Sequence, residues 1–191
     1  MTLKYILLLL TGWAIGCTGF AQGIKNIAVK DVDGASVTAI SNSGKKTLFI
    51  VLPSGVDTAL TNQLVRFRER QGDKVQVVGI LSVEDGYTAD NRVVIKKAYK
   101  QLIENGMILT EGMHTRKSAG EQQSPLLKWL TDKGSNGHFD MDVSSPGQKF
   151  FVSEQGRLYG VLGAETSLDG RIIDKICNTT VPADQTSNIN P

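Results

Sequence analysis

The run Leu48 to Leu52 places five apolar residues in succession, the pattern of a strand buried on both faces. Pro53, Ser54 and Gly55 break it. Asp57 then stands where it can cap a helix whose apolar residues Leu60, Leu64 and Phe67 recur at i, i+4 and i+7. Gly72 closes that helix, and Val75 to Leu81 reads as a second buried strand. Together these make one β-turn-α-β unit. The turn after the first strand of such a unit is a frequent place for chemistry, because a helix N-terminus favours anions and thiolates. Here the turn is Pro53-Ser54-Gly55-Val56-Asp57-Thr58, with no cysteine, histidine or lysine.

The same periodicities extend through the chain. Ile24 to Ile40 reads as two short strands around Asp33-Gly34, and Gly44-Lys45-Lys46 leads into the central strand. Ser82 to Ala89 is a loop. Asp90 is placed to cap a helix from Arg92 to Asn105, with Ile95, Tyr99 and Leu102 on one face and Gly106 at its end. Met107 to Leu109 is a short strand, and the polar, glycine-containing stretch Glu111 to Gln123 is a surface loop. Ser124-Pro125 opens a helix as cap and first-turn proline; Leu126, Leu127, Trp129 and Leu130 are its apolar part, and Gly134 stops it. Trp129 is a core anchor. Lys149 to Ser153 and Arg157 to Leu162 flank the three-residue loop Glu154-Gln155-Gly156, a strong hairpin signal. Ser167 caps a final helix reaching Cys177, and Asn178 to Pro191 is a polar, disordered tail. The order predicts one α/β domain over residues 24–177, with a central mixed sheet and helices on both faces.

Composition changes little in this picture. At 191 residues one domain is the natural size. A net charge of +2 argues neither for a nucleic-acid surface nor against one; the lack of a Lys/Arg run interleaved with aromatics argues against such a partner. The N-terminus changes more. Lys4, an apolar stretch from Tyr5 through Ile15, and Gly19-Phe20-Ala21 form a signal peptide over residues 1–21, cleaved before Gln22. A second reading competes: Ala14-Ile15-Gly16-Cys17 resembles the lipobox of bacterial lipoproteins, which would make 1–16 the signal and Cys17 a lipidated first residue. Both readings predict export, to the periplasm or medium in the first and to a membrane anchor in the second. Membrane attachment is expected only with lipid on Cys17. Cys17 and Cys177 are the two cysteines, so neither reading leaves an internal disulfide. Cys177, among Ile172, Ile173 and Ile176, reads as a small buried hydrophobe.

The element order and certain words in it resemble the glutathione peroxidase family, which has a thioredoxin-like fold. Asp33-Gly34 followed by Gly44-Lys45-Lys46-Thr47-Leu48 is similar to the family's "DG…GK…LI" entry. SPLLKWLT, from Ser124 to Thr131, resembles its "HPLYKFL" helix. Lys149-Phe150-Phe151-Val152 with Glu154-Gln155-Gly156 looks like its "KFLVDRDG" hairpin. The likeness covers about residues 26–177. It implies a thioredoxin-like, glutathione-peroxidase-like α/β fold. The family reduces peroxides with a cysteine or selenocysteine followed by glycine, in the turn after the central strand. The resemblance sets Ser54-Gly55 on that pair. It sets the family's supporting glutamine on Glu84, or on Val83 in the neighbouring register, and its tryptophan and asparagine on Ser145 and Pro146. None of the catalytic set is retained.

The chemistry follows from that substitution. Peroxide attack needs a thiolate, whose ordinary pKa a helix N-terminus can lower; a serine hydroxyl is not ionised by the same field, and serine nucleophiles need an adjacent base. Asp57 and Glu84 are the nearest candidates, and Ser54 with Asp57 reads first as a helix cap. His138, Asp140 and Asp142 would share one side of a strand, which more often makes a wet edge than a metal site. His114 falls in the polar loop and is expected to be solvated. Asn178-Thr179-Thr180 matches a glycosylation acceptor. No cofactor and no metal ion is expected. The expected function is a non-catalytic binding or structural role in the bacterial cell envelope, toward an unidentified protein or small molecule. The alternative is a diverged thiol-dependent peroxidase or oxidoreductase working from Cys177 or another site.

Overall fold

The computed structural model describes residues 23–40, 44–55 and 57–181. The signal segment, Cys17 and residues 182–191 lie outside them. Strands β1 (Ala28–Lys30) and β2 (Ser36–Thr38) form an antiparallel hairpin. The main sheet has the order β5-β4-β3-β6-β7, with β3 (Lys46–Leu52), β4 (Val75–Ser82), β5 (Ile108–Met113), β6 (Lys149–Val152) and β7 (Leu158–Leu162). The first three run parallel; β6 is antiparallel to β3, and β7 to β6. The helices are α1 (Thr58–Gln71), α2 (Arg92–Ala98), α3 (Lys100–Glu104), α4 (Pro125–Thr131), α5 (Lys133–Asn136) and α6 (Arg171–Asn178). This is the mixed α/β sheet that the element order predicts.

Every residue of β3 is buried, because both faces of the sheet are covered. Leu48, Ile50 and Leu52 meet Leu60, Leu64 and Phe67 of α1, Tyr99 and Leu102 beyond them, and Ile173 of α6. Phe49 and Val51 point the other way, to Leu126, Trp129 and Leu130 of α4 and to Ile27 and Val29 of the N-terminal hairpin. Each of these large side chains contributes roughly 1.5–3 kcal/mol by leaving water. On the surface, Asp169 receives Arg66 at 2.6 Å and Arg70 at 2.9 Å, tying α1 to the approach to α6.

Several boundaries differ from the sequence reading. The helix expected over 92–105 is two short helices. Tyr99, fully buried, leaves helical geometry at φ −99° and ψ 11° between them. Asn91, not Asp90, precedes α2, and its side chain serves the loop: Oδ1 accepts from Thr88 N–H at 3.0 Å and Nδ2 donates to the Gly86 carbonyl at 2.8 Å. β5 runs to Met113, into the expected surface loop, because its pairing with β4 continues through Leu81–Gly112 and Ser82–Met113. Gly112 permits this: a Cβ there would lie 1.8 Å from Tyr87 Cδ1, whose ring crosses the strand. Helix α4 ends at Thr131, before Gly134, because Asp132 turns the chain and caps α5. Ser167 does not cap α6, which begins after Gly170; its hydroxyl accepts from Asp169 N–H at 3.2 Å and donates to Gln63. Order continues past Cys177 to a buried Val181.

Candidate functional site

Ligands of open parallel sheets sit beyond the carboxyl ends of the strands. Here that edge gathers the turn after β3, the loop after β4, the first residues after β5 and the connection into β6.

Asp57 does what its spacing predicts: Oδ1 accepts from Leu60 N–H at 2.9 Å and caps α1. Ser54 does not share that role. It is half-buried against the loop after β4, and its Oγ lies 2.9 Å from where a Cβ on Gly86 would stand. Gly86 also holds φ 94°, so glycine is required there for conformation and for approach. The Ser145-Pro146 turn reaches the same edge: Gly147 N–H donates to the Val51 carbonyl at 2.7 Å, and Val51 N–H to Gln148 O at 3.0 Å. Two buried side chains fix this turn from behind. Gln148 Oε1 accepts from Ser144 N–H (2.8 Å) and its hydroxyl (2.9 Å), while Nε2 donates to Asp142 O at 3.0 Å. Lys149 Nζ donates to Gly147 O at 2.6 Å and Gly163 O at 3.2 Å. Burial pushes the Lys149 ammonium down to about 8, with Glu165 acting in the opposite sense.

Glu84 is the most connected group at this edge. Its Oε2 accepts from Thr115 N–H at 2.9 Å, from Thr115 Oγ1–H at 3.1 Å and from Ser82 Oγ–H at 3.1 Å. Its Oε1 lies 3.0 Å from His114 Nδ1. Burial works to raise the Glu84 pKa, but hydrogen bonds from Thr115 N–H, from its own N–H, from His114 and from the Thr115 hydroxyl outweigh it and hold it at about 2. An ionised carboxylate only accepts, so His114 Nδ1 carries the proton toward it and Nε2 is the outward nitrogen. His114 is thus not the solvated loop residue the sequence suggests; it is half-buried and held by Glu84. Beside this pair, Asp85 binds Arg116 at 2.5 Å.

The positions singled out in the sequence meet at one edge without forming one constellation. Among the described residues no hydrogen bond links Ser54 to Glu84, His114, Ser145 or Pro146. Glu84 turns toward β5 instead. Residues 138–142 form no strand, so His138, Asp140 and Asp142 do not line up on one side: His138 Nε2 accepts from Arg157, while Asp140 pairs with the Lys117 side chain and Asp142 Oδ1 accepts from Lys117 N–H at 2.9 Å. Among the described residues no cluster of three or more His, Cys, Asp and Glu side chains is placed to hold a metal ion. Cys177 is buried on α6, and burial pushes its thiol up to about 11. No described helix is long and apolar enough to cross a membrane.

Sequence reasoning missed His114, Thr115, Ser82 and Gln148 as parts of this edge. A β5 extended to Met113 was the available signal, since parallel pairing then sets His114-Thr115 beside the end of β4.

No protein-family model and no curated protein sequence matches the chain. Solved structures do. The structure described as Trgpx in apo form shares 19% identity at a TM-score of 0.57, over 81% of this chain and 93% of its own. GPX1 of T. cruzi shares 12% identity at a TM-score of 0.58, over 81% and 94%. A thioredoxin-family thiol:disulfide interchange protein from Chlorobium tepidum TLS shares 18% at a TM-score of 0.50, over 79% and 90%. These likenesses show the fold: the chain is a thioredoxin-like α/β domain.

Proposed function

We propose that this is an exported thioredoxin-fold protein without a peroxidatic thiol, serving as a non-catalytic binding or structural module of the cell envelope. One observation carries the reading: the turn after β3, where such chemistry would sit, holds Ser54-Gly55. Two further features support it. Cys177 is remote in the chain, buried, and far from its thiolate form at neutral pH. Glu84 is committed to His114, Thr115 and Ser82 and makes no hydrogen bond to Ser54. Export is supported by the N-terminal sequence, with cleavage before Gln22 or lipidation at Cys17. The binding partner is an unidentified protein or small molecule.

Peroxide consumption by engineered variants tests the reading. Cys177→Ser alone should show none with a thiol reductant. Adding Ser54→Cys should produce a half-buried thiol in the turn after β3 that peroxide oxidises at a measurable rate in stopped flow. It should remain a poor peroxidase, since Glu84, Ser145 and Pro146 supply none of the family's support. Rapid turnover by Cys177→Ser would overturn the non-catalytic reading. Mass spectrometry of the exported chain should begin at Gln22 or at a lipid-bearing Cys17; a mass retaining residues 1–21 would remove export.

A further inference from the structure

Helices α2 and α3 turn Ile95, Tyr99 and Leu102 into the core. Their other face carries a cavity of about 570 Å³, lined by the cations Arg92, Lys96, Lys97 and Lys100 and by the apolar Val93 and Ile103. Two acids also line it. Asp33 pairs with Lys96 at 2.5 Å and Glu104 with Lys100 at 3.7 Å. Four cations against two acids leave two positive charges, and among the described residues Arg92 and Lys97 make no ion pair. Next to them, Val93 is 71% and Val94 62% exposed, the highest values among the large apolar residues described. Folding does not require these two valines: Ile95 and Leu102 already anchor the helices.

We propose that this face docks on an anionic phospholipid bilayer. Arg92 and Lys97, flanked by Lys96 and Lys100, would meet headgroup phosphates, while Val93 and Val94 enter the interface. The pairing of charge with exposed aliphatic side chains selects this occupant. A free phosphate would engage the cations and leave both valines in water. A nucleic acid would favour aromatic platforms, and none lines the cavity. The inference is independent of the chemistry assigned to the Ser54 turn.

The test is vesicle flotation of the exported chain carrying Cys17→Ser, which removes any attached lipid. Vesicles of phosphatidylcholine alone are compared with vesicles containing phosphatidylglycerol, at low and high salt. The chain should bind the anionic vesicles, spare the neutral ones, and weaken with salt. Each neutralised cation should lower the partition about fivefold, so Arg92→Gln with Lys97→Gln should lower it roughly 25-fold. Val93→Ser with Val94→Ser should lower it several-fold with an unchanged circular dichroism spectrum. Absence of vesicle binding, equal binding to both vesicle types, or binding untouched by both double variants would overturn the proposal. So would protection by inorganic phosphate, or capture of an oligonucleotide, without vesicle binding.

Discussion

Replacing Glu84 with glutamine separates charge from shape at the candidate site. The amide oxygen that Glu84→Gln introduces can still accept from Thr115 N–H and the two hydroxyls that Glu84 Oε2 now serves. The new NH₂ group then faces His114 Nδ1, which can no longer donate and must become the acceptor. Charge-assisted hydrogen bonds contribute about 1.5–3 kcal/mol against 0.5–1.5 for neutral ones, so a loss on the order of 2 kcal/mol is expected at neutral pH. Linkage gives the same scale and fixes the sign. Folding lowers the Glu84 pKa to about 2, below an unfolded value near 4.3. The stabilisation is therefore complete above the unfolded value and drains away as pH falls from there toward 2. Urea unfolding of wild type and Glu84→Gln at about pH 5 and pH 3 should show the gap shrinking by roughly half or more. Nitrogen chemical shifts of His114 should report the proton moving from Nδ1 to Nε2 in the variant. No gap at the higher pH, a gap that widens at the lower, or an unchanged tautomer would refute the electrostatic account of this site.

Other perturbations address the scaffold. Leu64→Ala should cost roughly 2–5 kcal/mol, because Leu64 is fully buried between α1 and β3, whereas Glu69→Ala on the exposed face should cost little; equal losses in chemical denaturation would show the helical phase to be wrong. Lys46→Met removes the buried ammonium that donates to Cys177 O at 2.7 Å and Thr179 O at 2.5 Å. It should cost about 1–3 kcal/mol and raise amide exchange at the end of α6, and unchanged exchange there would count against a capping role for Lys46. Cys177 should react with a thiol reagent only as fast as the protein opens, and a fast native-state reaction would show the thiol to be accessible.

The parts of this fold that could be read from sequence are those governed by local periodicity. The uninterrupted run of β3 and the i, i+4, i+7 spacing of α1 survive unchanged, because a strand covered on both faces and a helix laid against it leave one consistent solution. Polar residues whose partners are distant in the chain were not legible. Glu84 and His114 stand 30 residues apart and meet because parallel pairing sets the ends of β4 and β5 side by side. The buried lysines make the same point. Lys46 and Lys149 lie at the starts of apolar strands, yet both are buried, each on two backbone carbonyls. What buries them is the geometry of α6 and of the Gly147 and Gly163 turns, which no local pattern announces.

That asymmetry bears on function. That the turn after β3 holds Ser54-Gly55 is a statement about residues at positions set by strongly periodic neighbours, so a sequence can make it. What the edge has instead is non-local: a carboxylate held ionised by Thr115, a histidine fixed through one nitrogen, and a turn braced by Gln148 and Lys149. Each of these groups is satisfied by the protein itself, except His114 Nε2, which has no hydrogen-bond partner among the described residues. This bracing orders the groups before any ligand arrives, while Asp85 Oδ2 and Arg116 Nε beside them are buried without a hydrogen-bond partner among the described residues. Any group that reaches His114 Nε2 would meet an acceptor, because the proton on Nδ1 is directed at Glu84.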